Sequence, residues 1–198
     1  MKKKLTFAIF LIIIFTNIVS KVHSIEADVF IQSTVNRAAK TLGGNLSKQE
    51  RVEKLKEIAK DTVDIKGIGF YSLGDHRNKL TENQISKYNI VFTEYFLKSF
   101  SSRLAEYSNP EIEVNTKKVI NKNYTMVSST LVSTDSRPEV KIDWRIYTKD
   151  SNNLLIRDLI IEGLSLARTQ KEEFSSIMSS NDGKIEALIK NLSDFVAK

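Results

Sequence analysis

The side chains whose type and spacing best suit chemistry are Asp143, Arg145, Arg157, Asp158 and Glu162, which fall on what read as adjacent strands. A carboxylate pair among them could act as general acid and base. The same residues at strand spacing also make cross-strand ion pairs, which need no catalysis, and this is the preferred reading. Glu162 stands apart because Gly163 follows it inside an apolar run, "RDLIIEGLSL". A buried carboxylate there would need a partner, with Arg145 or Arg157 the expected one. The other reactive types are scarce. The chain has no Cys and two His: His23 near the N-terminus and His76 in the polar segment "LGDHRN". No nucleophile elbow accompanies them, so a Ser-His-Asp arrangement has no support. Clustered His and Cys, as a transition-metal site requires, are absent, and no calcium loop or phosphate loop is present. No catalytic residue, metal or cofactor is therefore assigned.

The elements that would position these residues begin after a leader. "MKKKLTFAIFLIIIFTNIVSKVHS" has a basic start, Lys2 to Lys4, then an apolar stretch from Leu5 to Val19, then a polar end. This is the pattern of a cleavable export signal, residues 1–24, followed by one domain over 25–198. The alternative, a membrane anchor, is disfavoured because the apolar stretch of 15 residues is shorter than the roughly 20 needed to span. Removing residues 1–24 takes away four basic side chains (Lys2, Lys3, Lys4, Lys21) and no acidic one, so the formal charge falls from +6 to +2. The basic character belongs mostly to the leader, and no concentrated patch for nucleic acid remains.

Apolar residues recur at helical spacing over 27–42, and Ser47 with Glu50 forms a capping box for a second helix. Asp64 is placed to cap a short third element, although Gly67 and Gly69 weaken its helical reading. Thr81 and Gln84 cap the longest helix, 81–107, whose face carries Ile85, Tyr88, Phe92, Tyr95, Phe96, Phe100, Leu104 and Tyr107. Ile90, Val91 and Leu97 widen that face. Burial by neighbours on two sides accounts for so wide an arc, and so does a ligand cavity. After Pro110 the period changes to two, and four strands follow with short turns between them, which implies an antiparallel meander. Two amphipathic helices close the chain. The fold class is α+β, at least four antiparallel strands with helices on one face.

From residue 140 onward the chain resembles the MlaC family, the toluene-tolerance periplasmic proteins. The resemblance rests on Asp143, Trp144, Arg145, Asp158, Glu162, Gly163, Ser165, Leu166 and Phe174, and upstream on Leu73, Gly74, Thr81, Gln84, Phe92 and Phe96. It departs from the family at "GDHRN", where an aromatic-Arg step is more usual. The resemblance implies a periplasmic phospholipid carrier with lipid tails in an apolar cavity between sheet and helices. Its implied partners are an inner-membrane lipid ABC transporter, through its ring subunit, and an outer-membrane lipoprotein–porin complex. Its purpose would be maintenance of lipid asymmetry. Val91, Tyr95, Phe96 and Phe100 would contact lipid from the long helix, and Trp144, Ile146, Leu159 and Ile161 from the strands. Phe174, Ile177, Met178 and Leu188 would do so from the last helices. Asp143, Arg145, Asp158, Glu162 and Gly163 would form the polar frame. A bend at Gly163 would turn the chain off the sheet so that Leu164 and Leu166 border the cavity. An exported enzyme using an acidic pair, or a periplasmic chaperone, are the alternative readings. The export reading predicts a mature protein that starts after Ser24, and N-terminal sequencing of the exported protein checks it. A membrane-bound product that still begins at Met1 would contradict it.

Overall fold

A computed structural model describes residues 26–198. The expected signal, residues 1–24, lies outside the described residues. Four helices come first: α1 (Ala27–Gly43), α2 (Lys48–Thr62), α3 (Ile65–Ser72) and α4 (Glu82–Leu104), with a 3-10 turn, Gly74–Lys79, between the last two. Five strands follow: β1 (Ile112–Asn121), β2 (Tyr124–Leu131), β3 (Val140–Tyr147), β4 (Leu155–Ile161) and β5 (Leu164–Ser165). Two helices, α5 (Leu166–Ser179) and α6 (Ile185–Ala197), end the chain. Both capping boxes form, Ser47 with Glu50 and Thr81 with Gln84. Asp64 caps α3 by accepting the Gly67 N–H at 2.8 Å, so the two glycines do not prevent a helix there.

The sheet runs in chain order, β1-β2-β3-β4-β5, and every pairing is antiparallel. One face is apolar. Val127, Ile142, Trp144, Ile146 and Ile156 lie in a single core with Ile31, Val35, Tyr88, Phe92, Phe174, Met178 and Leu188 of the helices. Helix α1 lies against β1 and β2, α3 and α5 lie against β4, and α4 rests on α2, α3 and α6. A smaller core, Leu42, Leu55, Ile58 and Ala105, joins α1, α2 and the end of α4. Val29 of α1 and Ile90, which the sequence placed on the apolar arc of α4, are exposed. Ile31, Val35 and Leu42 form the inward stripe of α1, and Val29, two residues before Ile31, falls on the opposite side of the helix.

The joint at Glu162-Gly163 is not the simple bend that the sequence suggested. Ile161 pairs with Leu164 across two residues with φ of 49° and 82°, the pattern of a type I′ hairpin turn. The chain doubles back as β5 before α5 starts. Glu162 is exposed, and its carboxylate accepts the backbone N–H of Lys141 instead of an arginine. Arg145 and Arg157 are engaged elsewhere.

Those engagements organise the fold around β4. Asp158 is 3% exposed. Its carboxylate accepts the Ser165 hydroxyl at 2.6 Å and the Ala167 N–H at 3.0 Å, in the first turn of α5, with the Arg145 guanidinium 3.6 Å away. Negative charge at a helix N-terminus meets unpaired amides and the positive end of the helix dipole. The preceding residue, Arg157, sits at a register shift in the β3–β4 pairing and reaches the other way. Its Nε and Nη2 lie 2.6 Å from the Asp64 carboxylate, Nη1 donates to the Tyr124 hydroxyl, and the guanidinium stacks 4.4 Å over the Tyr147 ring. Asp64 also donates its N–H to Ile156, and Val63 bridges the same strand residue, so the α2–α3 joint covers this edge of the sheet. Asp158→Ala should destabilise the protein by about 3 kcal/mol, since it strands the Ala167 amide and the Ser165 hydroxyl at the start of α5 and leaves Arg145 unpaired. Thermal melting should register a fall of roughly 6–12 °C for a chain of this size. A melt within a degree of wild type would show that α5 holds without this tether.

Candidate functional site: a graded apolar interior

The interior between sheet and helices is built from two surfaces. The sheet supplies a row across three strands, Val127, Trp144 and Leu159, set by the β2–β3 and β3–β4 registers. Trp144 brings a polar atom into this face, and its indole N–H donates to the Ser129 hydroxyl at 2.8 Å. Ser129 in turn reaches the Ile142 carbonyl at 3.3 Å, so the buried hydroxyl and indole satisfy each other within an otherwise apolar face.

Helix α4 supplies a run of rings. Phe92 lies 5.5 Å from Tyr88, 6.1 Å from Phe96 and 6.0 Å from Phe174, and Phe96 stacks on Phe100 at 5.7 Å. Close approach of α3 holds the buried end of this run: the Tyr88 hydroxyl donates to the Gly69 carbonyl at 3.0 Å, and a Cβ at Gly69 would lie 2.6 Å from the Phe92 ring. Burial pushes the Tyr88 phenol well above its usual range. The other end is more open. Tyr95 packs 5.1 Å from Phe195 and donates to Gln170 at 3.1 Å, and burial, with nearby Glu173, raises its phenol pKa.

The residues assigned to lipid contact separate into three groups. Trp144, Ile146, Phe174, Met178 and Leu188 are buried in the closed core. Val91, Tyr95, Phe96, Phe100, Leu159 and Ile177 are half-buried against that core, and Ile161 is half-buried at the end of β4. Leu164 and Leu166 are 59% and 41% exposed. Leu164 pairs with Ile161, which pairs with Ile142, so it stands on the apolar side of the sheet, but at a sheet end that the helices leave uncovered. The sequence reading missed the half-buried Phe30 of α1, Ile112 and Val114 of β1, and Val140 of β3. Strand alternation shared with Leu131 and Ser129 marks Ile112 and Val114 once the register is known.

Two surface hollows stand out, and neither lies between sheet and helices. One, about 730 Å³, runs along α3 and α4 beside Lys66, Ile85 and Ile90. The other, about 520 Å³, sits between α1 and α2 beside Arg37, Lys40 and Lys54. Among the described residues no group of three or more His, Cys, Asp or Glu is placed to hold a metal ion, and no helix is long and apolar enough to cross a membrane. The carboxylates that might have been catalytic are engaged in structure: Asp143 accepts from Ser128 at 2.5 Å, and Asp158 anchors α5.

A helical layer and an antiparallel meander that share a graded apolar interior define an α+β fold. The chain belongs to the MlaC family, whose profile, described as MlaC protein, matches residues 32–194. No curated protein matches the chain. Among solved structures, the phospholipid-binding protein from Ralstonia solanacearum, determined in complex with a phospholipid, has the same fold: TM-score 0.74 at 19% identity, over 88% of this chain and 100% of that one. The Trp144–Ser129 contact yields a direct test. Ser129→Ala leaves the buried indole N–H without a partner and should cost about 1–3 kcal/mol, read as a lower midpoint in urea unfolding. Ser129→Thr, which keeps the acceptor, should recover part of that loss, and no difference between the two would deny the hydrogen bond its role.

Proposed function

We propose that this protein is a periplasmic phospholipid carrier, which takes lipid from a complex in one membrane and delivers it to a complex in the other. The observation that carries this reading is the graded interior: six apolar side chains, on α4, on β4 and on α5, lie half-buried against a complete core, with Ile161 half-buried at the end of β4. In a related fold from Ralstonia solanacearum the bound molecule is a phospholipid. Family membership supports transport over catalysis, and so does the structural engagement of Asp143 and Asp158. The outer-membrane lipoprotein–porin complex and the ring subunit of an inner-membrane lipid transporter are the partners that the family suggests.

The energetics favour a protein wall over free diffusion. Two acyl chains of common length hold on the order of 28 methylenes, and at ~0.8 kcal/mol each their exposure to water costs roughly 20 kcal/mol. The carrier must recover most of this and still release its cargo. Half-packed rings meet both demands, since they can part around an acyl chain and close on one another when it leaves. In this proposal Val91, Tyr95, Phe96, Phe100, Leu159, Ile161 and Ile177 form the tail-binding surface, with the buried Trp144, Ile146, Phe174, Met178 and Leu188 as its floor. Leu164 and Leu166 belong to the rim.

Native mass spectrometry of the protein, purified without detergent, should find bound phospholipid. Phe96→Glu places an unpaired carboxylate among the tails, at a cost of several kcal/mol if it stays charged. It should leave a folded protein, by circular dichroism, with little or no bound lipid. Leu164→Glu should be folded and fully loaded, because Leu164 already meets water. A wild-type protein that never carries phospholipid, and takes none from vesicles, would sink the carrier reading.

A further inference from the structure

The hairpin that joins β1 and β2 has a composition that the carrier interior does not explain. Its end reads "KKVINKN", residues 117–123, with three lysines and no acidic residue. Val119 and Ile120 are 70% and 48% exposed, and Val119 is the most exposed large apolar side chain among the described residues. A register shift between Val119 and Asn121 leaves Ile120 as the extra residue of a bulge, an irregularity that re-aims side chains. Lys117 is engaged, with Glu26 at 2.5 Å and Asp28 at 2.9 Å, and these bonds tie β1 to the start of α1. Lys118 and Lys122 are exposed and hold no ion pair among the described residues.

Protection of an edge strand explains part of this. Lysines and bulges on an exposed edge discourage pairing with another chain. They do not explain two adjacent branched aliphatics in water, which make such an edge more adhesive. Apolar tips flanked by unpaired cations are the complement of an anionic lipid surface: the aliphatics enter the headgroup boundary while the cations meet the phosphates.

We propose that the β1–β2 hairpin docks this protein on anionic phospholipid surfaces through Val119 and Ile120, with Lys118 and Lys122 as its electrostatic contacts. The proposal rests on the carrier reading only for its purpose, which is to bring the protein to a bilayer. Its contacts are separate from the interior, since none of the four residues belongs to the core or to the half-buried set around it.

The test is flotation of the full exported protein with vesicles of phosphatidylglycerol and phosphatidylethanolamine, against vesicles of phosphatidylcholine alone. The wild type should float with the anionic vesicles and be released by salt, as exposed charge–charge attraction requires. Lys118→Glu with Lys122→Glu should lower binding about tenfold or more. Val119→Ser with Ile120→Ser should lower it to a similar degree, and all four positions are exposed enough to change without loss of fold. Native mass spectrometry on the same variants should find the bound lipid unchanged, which separates docking from cargo. Variants that float as well as the wild type would overturn the docking proposal whatever the protein carries. So would a wild type that ignores anionic vesicles while the hairpin variants lose capture by a membrane protein complex, because the hairpin would then dock on protein.

Discussion

Two adjacent residues of β4, Arg157 and Asp158, tether two helices from opposite directions, and the arrangement of the molecule depends on them. Asp158 supplies the acceptor that the first turn of α5 lacks, and Arg157 holds the Asp64 carboxylate that caps α3. A regular strand would also point successive side chains to opposite faces, but here the register shift at this step frees Arg157 from the ladder. It can therefore reach an element outside the sheet. Helices α3 and α5 lie against each other, so the two tethers act on one helical unit.

This polar stitching matters because of what it leaves free. Helices anchored by charge-assisted bonds at their N-termini do not need every apolar side chain to be fully packed in order to stay in place. The interior can then be graded. Tyr88, Phe92, Phe174 and Met178 make a closed floor, while Tyr95, Phe96 and Phe100 continue the same helix face with part of their surface unburied. The Trp144–Ser129 bond has a comparable role on the sheet side, since it fixes the orientation of a large ring in a face with few directional contacts.

The carboxylates of the sheet are held in structural contacts. Each carboxylate that the sequence offered as an acid or base has a local partner: Ser128 for Asp143, the Ala167 amide for Asp158, the Lys141 amide for Glu162. The surfaces that the proposed carrier would use are apolar, inside as the half-buried set and outside at the β1–β2 hairpin. The two are different in kind. The interior surface is shielded and aromatic, and the hairpin is small, aliphatic and flanked by lysine.

Much of the fold was legible in the sequence because its signals are local. Capping boxes at Ser47 and Thr81, the change of period after Pro110 and the short turns between strands depend on neighbours a few residues apart, and they set the helices and the antiparallel meander. The family motif around Asp143, Trp144 and Arg145, and again at Asp158 to Leu166, was equally readable. Tertiary structure alone decided which partner each charge took and which apolar residues stayed half-open. Glu162 looked buried, since apolar residues flank it, but the hairpin turn put it in water. Arg157 paired with Asp64, 93 positions away, a choice that no local pattern encodes. Leu164 and Leu166 continued an apolar run and still ended outside, because exposure depends on the path of the backbone through the turn. Spacing specifies the face of an element, and only the packing of distant elements specifies what that face meets.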